Sequence, residues 1–380
     1  MALLFSSKEL VYNLSLAMRV FVYMLLLAAL ASCGGSDCCV PRQPEKKDLI
    51  KAADISFLPD IENDGVAFKD AAGTEKDLLD ILKKSGVNMI RLRVWHTPET
   101  EHSSLAEVKI LSERIKAKGL KVWLTVHYSD TWADPGHQKK PEAWVGASFT
   151  DLQDSVYRYT KKIMTQIDPD IIQIGNEING GFIFPEGSTG NVSNFIALLK
   201  KGVQAVRETS PDTQIMVHLA GFNEATWLYQ QLANFSVDYD LIGLSYYPMW
   251  HGKDLTVVQA NLNSIGLAYS KPVVIAETAY PFTLGWEDDI GNVTGETGQL
   301  LTGYPATPAG QKAFLFKVRG MIEASPRGAG FCYWGAEWLA YTGELEIAGE
   351  LKDGSSWENQ ALFDFDNKAL PALEAFTDEE

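Results

Sequence analysis

The chain has 380 residues, 46% of them hydrophobic and 11% aromatic, and a formal net charge of −16 at pH 7. That length and apolar content support one large domain or two average ones with a sizeable core. The acidic balance, without any Lys/Arg block, argues against nucleic acid and anionic membranes as partners, whereas a neutral polymer senses net charge only weakly.

The N-terminus reads as a processing segment. Met18-Arg19 gives a short basic start, and 20–31 is an apolar run too short to span a membrane but of signal-peptide proportions. Leu30-Ala31-Ser32-Cys33 resembles the lipobox of bacterial lipoproteins, in which the Cys becomes the lipidated N-terminus. Residues 1–33 are therefore expected to be a signal peptide, with Met18 a candidate for the true start, and 34–50 a flexible tether. The expectation is an exported protein, lipid-anchored at a bacterial cell surface or outer membrane, whose only membrane contact is that anchor. Simple secretion with cleavage nearby is the alternative. Cys38 and Cys39 fall in the tether and Cys332 stands alone in the body, so no disulfide framework or metal-type spacing is present.

From residue 51 to 380 one period dominates: apolar strand, polar loop, amphipathic helix. In chain order, strands are expected at 53–58, 88–95, 121–127, 170–175, 214–219, 240–245, 272–276 and 329–334. Helices are expected between them at 75–84, 105–118, 150–166, 192–208, 225–234, 256–269 and 307–324, with a short last helix at 369–376. Ser85-Gly86 and Gly119 stop the first two helices, and Thr150-Asp151 starts the third. The alternation predicts a single α/β domain, a (β/α)8 TIM barrel. A doubly wound open sheet is the runner-up, weakened because no G-x-G-x-x-G turn follows the first strand. The loops after strands three, four, seven and eight are long, which points to one working face at the C-terminal ends of the strands.

Two strand ends stand out. Asp170-Ile171-Ile172-Gln173-Ile174-Gly175-Asn176-Glu177 is a short buried-strand pattern ending in a carboxylate, and Lys271-Pro272-Val273-Val274-Ile275-Ala276-Glu277-Thr278 repeats it. Either Glu alone reads as well as a solvated loop residue; the matched pair on one sheet reads as convergent. The remaining ends carry Arg91 and Arg93, which period-2 geometry turns toward the barrel interior, then His127, His218, Tyr247 and Trp334. Buried Arg calls for carboxylate partners. No phosphate-type cation cluster and no zinc-type histidine set appears. Flat aromatics among neutral hydrogen-bonding groups suit sugar rings.

Paired carboxyls are the machinery of glycoside hydrolysis, one protonated to donate and one ionised to attack. Arg91 against Glu277 would hold that group ionised, with Tyr247 donating to it, and Glu177, without an obvious cation, is the better acid. Asn176 is placed to hold a sugar hydroxyl and Trp334 to floor the sugar. Trp95 and Trp123 read as core, and His96, His102, His137 and His251 as surface loop residues.

These residues carry a resemblance. His127-Tyr128-Ser129-Asp130-Thr131-Trp132-Ala133-Asp134-Pro135 is similar to the signature of the endo-β-1,4-galactanases, glycoside hydrolase family 53 of clan A. Arg91-Leu92-Arg93-Val94-Trp95, Gly175-Asn176-Glu177-Ile178, Ser245-Tyr246-Tyr247-Pro248 and Ala276-Glu277-Thr278 agree with it, and the resemblance covers about 52–376. It implies Glu177 as acid/base and Glu277 as nucleophile of a retaining, endo-acting enzyme on β-1,4-galactan or galactooligosaccharide. Arg91, His127, Asp130, Trp132, Asn176, His218, Tyr247 and Trp334 are the expected substrate contacts, with Trp132 and Trp334 stacking on sugars. The chemistry needs no cofactor. Bacterial members of the family have a calcium site after strand seven. Here that loop reads Glu287-Asp288-Asp289-Ile290-Gly291-Asn292, making Asp288 and Asn292 the candidate ligands, with Glu358 a later one. A monomer is expected. The rivals are a mannanase or xylanase of the same clan, and a non-catalytic surface glycan-binding lipoprotein. A barrel aldolase is disfavoured because no strand ends in Lys.

Overall fold

The computed structural model describes residues 48–341, 344–347 and 350–378. The expected signal peptide, lipobox and nearly all of the tether lie outside the described residues. Eight parallel strands close into a barrel: β1 (Ile50–Asp54), β2 (Met89–Val94), β3 (Lys121–Val126), β4 (Ile171–Ile174), β5 (Gln214–Ala220), β6 (Leu241–Ser245), β7 (Val273–Thr278) and β8 (Gly328–Tyr333). Pairing of Ile50 to Gly330 through Ala53 to Tyr333 joins β8 back to β1, which rules out the open doubly wound sheet. Ile50 thus belongs to the barrel rather than to the tether.

The helices between strands start where short polar side chains satisfy free backbone N–H groups. Ser104 accepts from Glu107 N, Thr307 from Gly310 N, and Asp77 from Leu79 N. Ser148 caps the third crossover helix through Asp151 N, so that helix begins at Phe149, one residue before Thr150. The first crossover helix runs Leu78–Lys84 rather than from Glu75, because Asp77 is its cap. The final segment, Pro371–Phe376, is a 3-10 helix.

The largest departure is the first strand, expected at 53–58 and found at 50–54. Asp54 Oδ1 accepts from Ser56 Oγ at 2.6 Å and Ser56 N at 3.1 Å, which bends the chain out of the sheet. Pro59 then opens a short helix, Leu58–Asn63. The run Ile55-Ser56-Phe57-Leu58 is buried outside the sheet, with Phe57 stacked between Trp338 and His102, so its apolar character reflects packing and not strand.

Inside the barrel the period of two sorts the side chains into layers. The lower layer is apolar: Ala52, Met89, Trp123, Ile171, Met216, Leu241, Val274 and Cys332 form a small closed cluster. A separate, larger core fills the space between strands and helices. Two residues further along, four of the strands turn polar side chains inward: Asp54, Arg91, Gln173 and His218 are all buried. One strand breaks the rule. Gly243 pairs with Val274 and Leu244 with Ile275, but Ser245 pairs with Glu277, so β7 carries one extra residue. This bulge re-aims Glu277 into the interior, on the side that Val274 and Ala276 already face.

At the end of β4, Gly175 has φ +80° and a Cβ there would lie 2.5 Å from Ile178 Cγ2. Gly175→Ala is expected to lower the unfolding free energy by about 1–3 kcal/mol in a urea titration. A midpoint equal to that of the wild type would show that the turn accepts a side chain.

Candidate active site

The polar layer opens into a cavity of about 470 Å³ at the C-terminal ends of the strands, lined among others by Asp54, Arg91, His127, Trp132, Asn176, Glu177, Tyr247, Glu277 and Trp334. At its centre the Arg91 guanidinium, 1% exposed, forks between two carboxylates. Nη1 donates to Asp54 Oδ2 at 2.8 Å, and Nη2 donates to Glu277 Oε1 at 2.7 Å and Asn176 Oδ1 at 2.9 Å. Burial opposes its charge, but Glu277 and Asp54 outweigh burial and hold it above the usual arginine range.

The two glutamates share the cavity and differ in company. Burial pushes Glu277 upward, while Arg91 and the Tyr247 hydroxyl, 3.1 Å from Oε2, pull it back toward the ionised form. Glu177 has no ion pair among the described residues. Burial first, and the Glu277 charge second, push it to about 8, against a hydrogen bond from Ser245. Its backbone sits in the left-handed region at φ 47°, a strained conformation that the turn after Gly175 imposes. Both carboxyls are shifted upward by burial, but only Glu277 has a cation and a phenol bonded to it to favour its ionised form.

His127 Nδ1 accepts from Ala133 N at 3.0 Å and Trp95 Nε1 at 3.3 Å, so the single imidazole proton resides on Nε2. Burial lowers its pKa well below the ordinary value, keeping it neutral. Asn176 Oδ1 accepts from Arg91, and Nδ2 donates to Ala133 O at 2.8 Å, leaving one amide hydrogen for a ligand. Arg93 differs from the sequence expectation of a carboxylate partner. Among the described residues it makes no ion pair; its guanidinium lies 4.0 Å from the Trp132 ring centre and 4.6 Å from Phe57. It thereby covers one face of Trp132. Burial brings the Arg93 pKa down to about 10, still charged at neutral pH.

Two expected substrate contacts do not line the cavity. Asp130 accepts from Thr97 N at 2.9 Å and Glu142 N at 2.8 Å, tying the loops after β2 and β3 together. His218 is fully buried behind the site, between Gln173 and Ser245. His251, expected on the surface, lines the cavity and accepts from Tyr247 N at 3.0 Å. His102, also expected on the surface, is tucked under the site against Arg93 at 2.7 Å. His137 is 78% exposed, as a loop residue should be.

Several lining residues escaped the sequence reading. Asp54 was missed because the first strand was placed too late; the inward period from Ala52 would have found it. Trp250 and Trp357 also line the cavity, Trp250 with 53% of its surface exposed. Trp357 packs edge-on against Trp334, ring centres 4.6 Å apart. Trp357 comes from a long loop after β8 that carries no periodic signal.

The loop after β7 folds against Glu358. Glu358 Oε1 accepts from Glu287 N at 2.7 Å, and the Asp288 oxygens accept from Ile290 N and Ser355 N at 2.7 and 2.6 Å. Glu358 Oε2 and Asn292 Oδ1 are buried oxygens without a protein partner. Burial, then the Asp288 charge, raise Glu358 to about 7. Open oxygen acceptors of this kind, one from a carboxylate and one from an amide, beside the Asp288 carboxylate, fit a hard cation. Among the described residues, the group of three acidic or histidine ligands with atoms within 4.8 Å lies elsewhere, at Asp60, His102 and Glu107. There the His102 ring already sits between Asp60 and Arg93.

Known proteins resemble this chain over most of its length. The model of the family described as glycosyl hydrolase family 53 matches residues 50–376. An endo-beta-1,4-galactanase of Bacillus subtilis (strain 168) is 34% identical over 378 residues, covering 87% of this chain and 86% of its own length. An arabinogalactan endo-beta-1,4-galactanase of Cellvibrio japonicus (strain Ueda107) is 35% identical over 367 residues, covering 92% and 94%. The solved GH53 catalytic domain of Ignisphaera aggregans superposes with a TM-score of 0.83 at 38% identity, covering 89% of this chain and 97% of that one. With a family model spanning nearly the whole barrel, the chain belongs to glycosyl hydrolase family 53.

Proposed function

We propose that the protein is a retaining endo-β-1,4-galactanase in which Glu177 is the acid/base and Glu277 the nucleophile. The observation that carries this reading is the unequal partnership of the two carboxyls. Arg91 and Tyr247 bind Glu277, whereas Glu177 is left without a cation and rises to about 8. The galactan substrate rests on the relatives' names, and the aromatic-walled cavity, whose Arg91 is paired with Asp54 and Glu277, suits a neutral sugar chain.

In this reading a Glu277 oxygen attacks the anomeric carbon while Glu177 gives its proton to the departing glycosidic oxygen. The first half of the chain leaves as an alcohol, and the glycosyl group is held as an ester on Glu277. Glu177, now a carboxylate, takes a proton from water as that water attacks the same carbon and frees Glu277. His127 Nε2 and the spare Asn176 amide hydrogen are the donors for sugar hydroxyls, and Trp334 and Trp250 are apolar faces for sugar rings.

On purified galactan, Glu177→Gln and Glu277→Gln are each expected to lower kcat by at least about 10²–10⁴-fold with the fold intact by circular dichroism. The first anomer seen by proton NMR is expected to be β, and long galactan should lose viscosity early. A panel of galactan, mannan and xylan separates the rival clan activities; preferred turnover of either of the latter two would overturn the substrate assignment.

The pH profile follows from the protonation states. The acid form of Glu177 is required, so kcat/KM is expected to fall as pH rises, with a midpoint near 8, the position of Glu177 in the free protein. A basic limb centred below pH 6 would assign the acid to another group.

We also propose a structural calcium ion held by Asp288, Asn292 and Glu358. Bound to the native state alone, it would raise stability by mass action. Chelation is expected to lower the thermal midpoint by several degrees, and Glu358→Gln to abolish the response. Identical melting curves with calcium and with chelator would remove the ion from the account.

A further inference from the structure

We infer that His218, Ser245 and Gln173 are positioning residues for Glu177. They form a one-way chain of hydrogen bonds that starts at Arg91, ends on Glu177 Oε1, and leaves Oε2 as the oxygen that carries the transferable proton. This rests on the reading of Glu177 as the acid.

The direction of the chain follows from groups that can only donate or only accept. Arg91 Nη2 lies 3.4 Å from one end of the Gln173 amide, and a guanidinium only donates, so that end is the oxygen. The other end lies 3.1 Å from the Gly175 carbonyl, which only accepts, so it is the nitrogen. Its two hydrogens face three acceptors, Gly175 O, Asn176 Oδ1 at 3.0 Å and, closest of all, His218 Nδ1 at 2.8 Å; donating to the last requires Nδ1 to hold a lone pair. The contact from Nδ1 to Asn176 Oδ1 would demand the reverse, but it is longer, at 3.2 Å. That oxygen already accepts from Arg91 at 2.9 Å.

His218 is fully buried near the Arg91 charge and neutral, so its one proton sits on Nε2. Nε2 lies 2.9 Å from Ser245 Oγ and donates to it. The Ser245 hydroxyl, with its oxygen accepting, turns its own proton to Glu177 Oε1 at 2.5 Å. Oε1 is thereby an acceptor in every step. When Glu177 is an acid, its proton belongs on Oε2; when it is a carboxylate, Oε1 still receives the same hydrogen bond. The chain satisfies both protonation states without reorientation, which is what a group that donates and then removes a proton needs. None of the three residues lines the cavity, so none is a sugar contact.

Two measurements test this. Nitrogen-15 NMR of the histidine rings in the wild-type protein is expected to show His218 neutral with the proton on Nε2 between pH 5 and 8; a proton on Nδ1 would overturn the chain. In kinetics on galactan, Ser245→Ala removes a donor that favours the charged form. It should move the basic limb of kcat/KM up by roughly 0.5–1 pH unit, and lower kcat about tenfold with KM unchanged. His218→Leu should shift the limb in the same direction. His218→Gln, which keeps an N–H for Ser245, should restore the wild-type position. A basic limb unmoved in both Ser245→Ala and His218→Leu, or moved equally by His218→Gln and His218→Leu, would reduce the three residues to packing. If the variants do not fold, the NMR result on the wild type decides. Near-normal turnover in Glu177→Gln would instead sink the acid assignment, a result the tautomer measurement does not depend on.

Discussion

A buried guanidinium governs this molecule. Arg91 leaves water at a cost of several kcal/mol and recovers it only through the partners its fork can reach. Those partners are Asp54 from β1, Glu277 from β7 and Asn176 just past β4. Three strand ends on different sides of the barrel are therefore drawn to one point by one cation. The same contact makes the two glutamates unequal. Arg91 bonds to Glu277 and not to Glu177, so burial is offset by a hydrogen-bonded cation at one and not at the other. Its fourth contact, to Gln173, begins the hydrogen-bond chain that reaches Glu177 from behind.

The site is built where the regular fold gives way. Glu277 reaches the interior because β7 carries an extra residue opposite Ser245. Glu177 reaches it from a backbone at φ 47°, after Gly175 at φ 80°. Regular strand geometry would put neither carboxyl where it is. The apolar layer beneath, with Trp123 filling its centre, is the rigid support that lets these irregularities persist.

Around the carboxyls the wall is aromatic and the donors are neutral. Arg93 illustrates the economy of the design. It stacks on Trp132 and Phe57, and donates to Ser103 at 3.1 Å, so its charge braces the wall instead of facing the ligand. The net charge of −16 is therefore a property of the surface, and the cavity presents sugar-like chemistry of its own: hydroxyl, amide, imidazole and indole.

Much of this was legible in the chain alone. The strand-helix alternation determined the barrel, because periods of 2 and 3.6 are local properties of the backbone. The strand-end positions named both glutamates, Arg91, Asn176, Tyr247 and Trp334, because in a parallel barrel one end of every strand meets the others. What required the tertiary structure is everything that depends on departures from period. Asp54 was hidden by an apolar run that leaves the sheet. Trp250 and Trp357 sit on loops without a repeat. Asp130 and His218 carried the residue types of sugar ligands, yet backbone N–H groups claim one and a buried relay the other. The inward turn of Glu277 is the clearest case: its neighbours Val274 and Ala276 face the same interior, and only the bulge against β6 lets a residue of the wrong parity join them. Local periodicity can say which strand end a side chain belongs to, but register between strands, a long-range property, decides where it points.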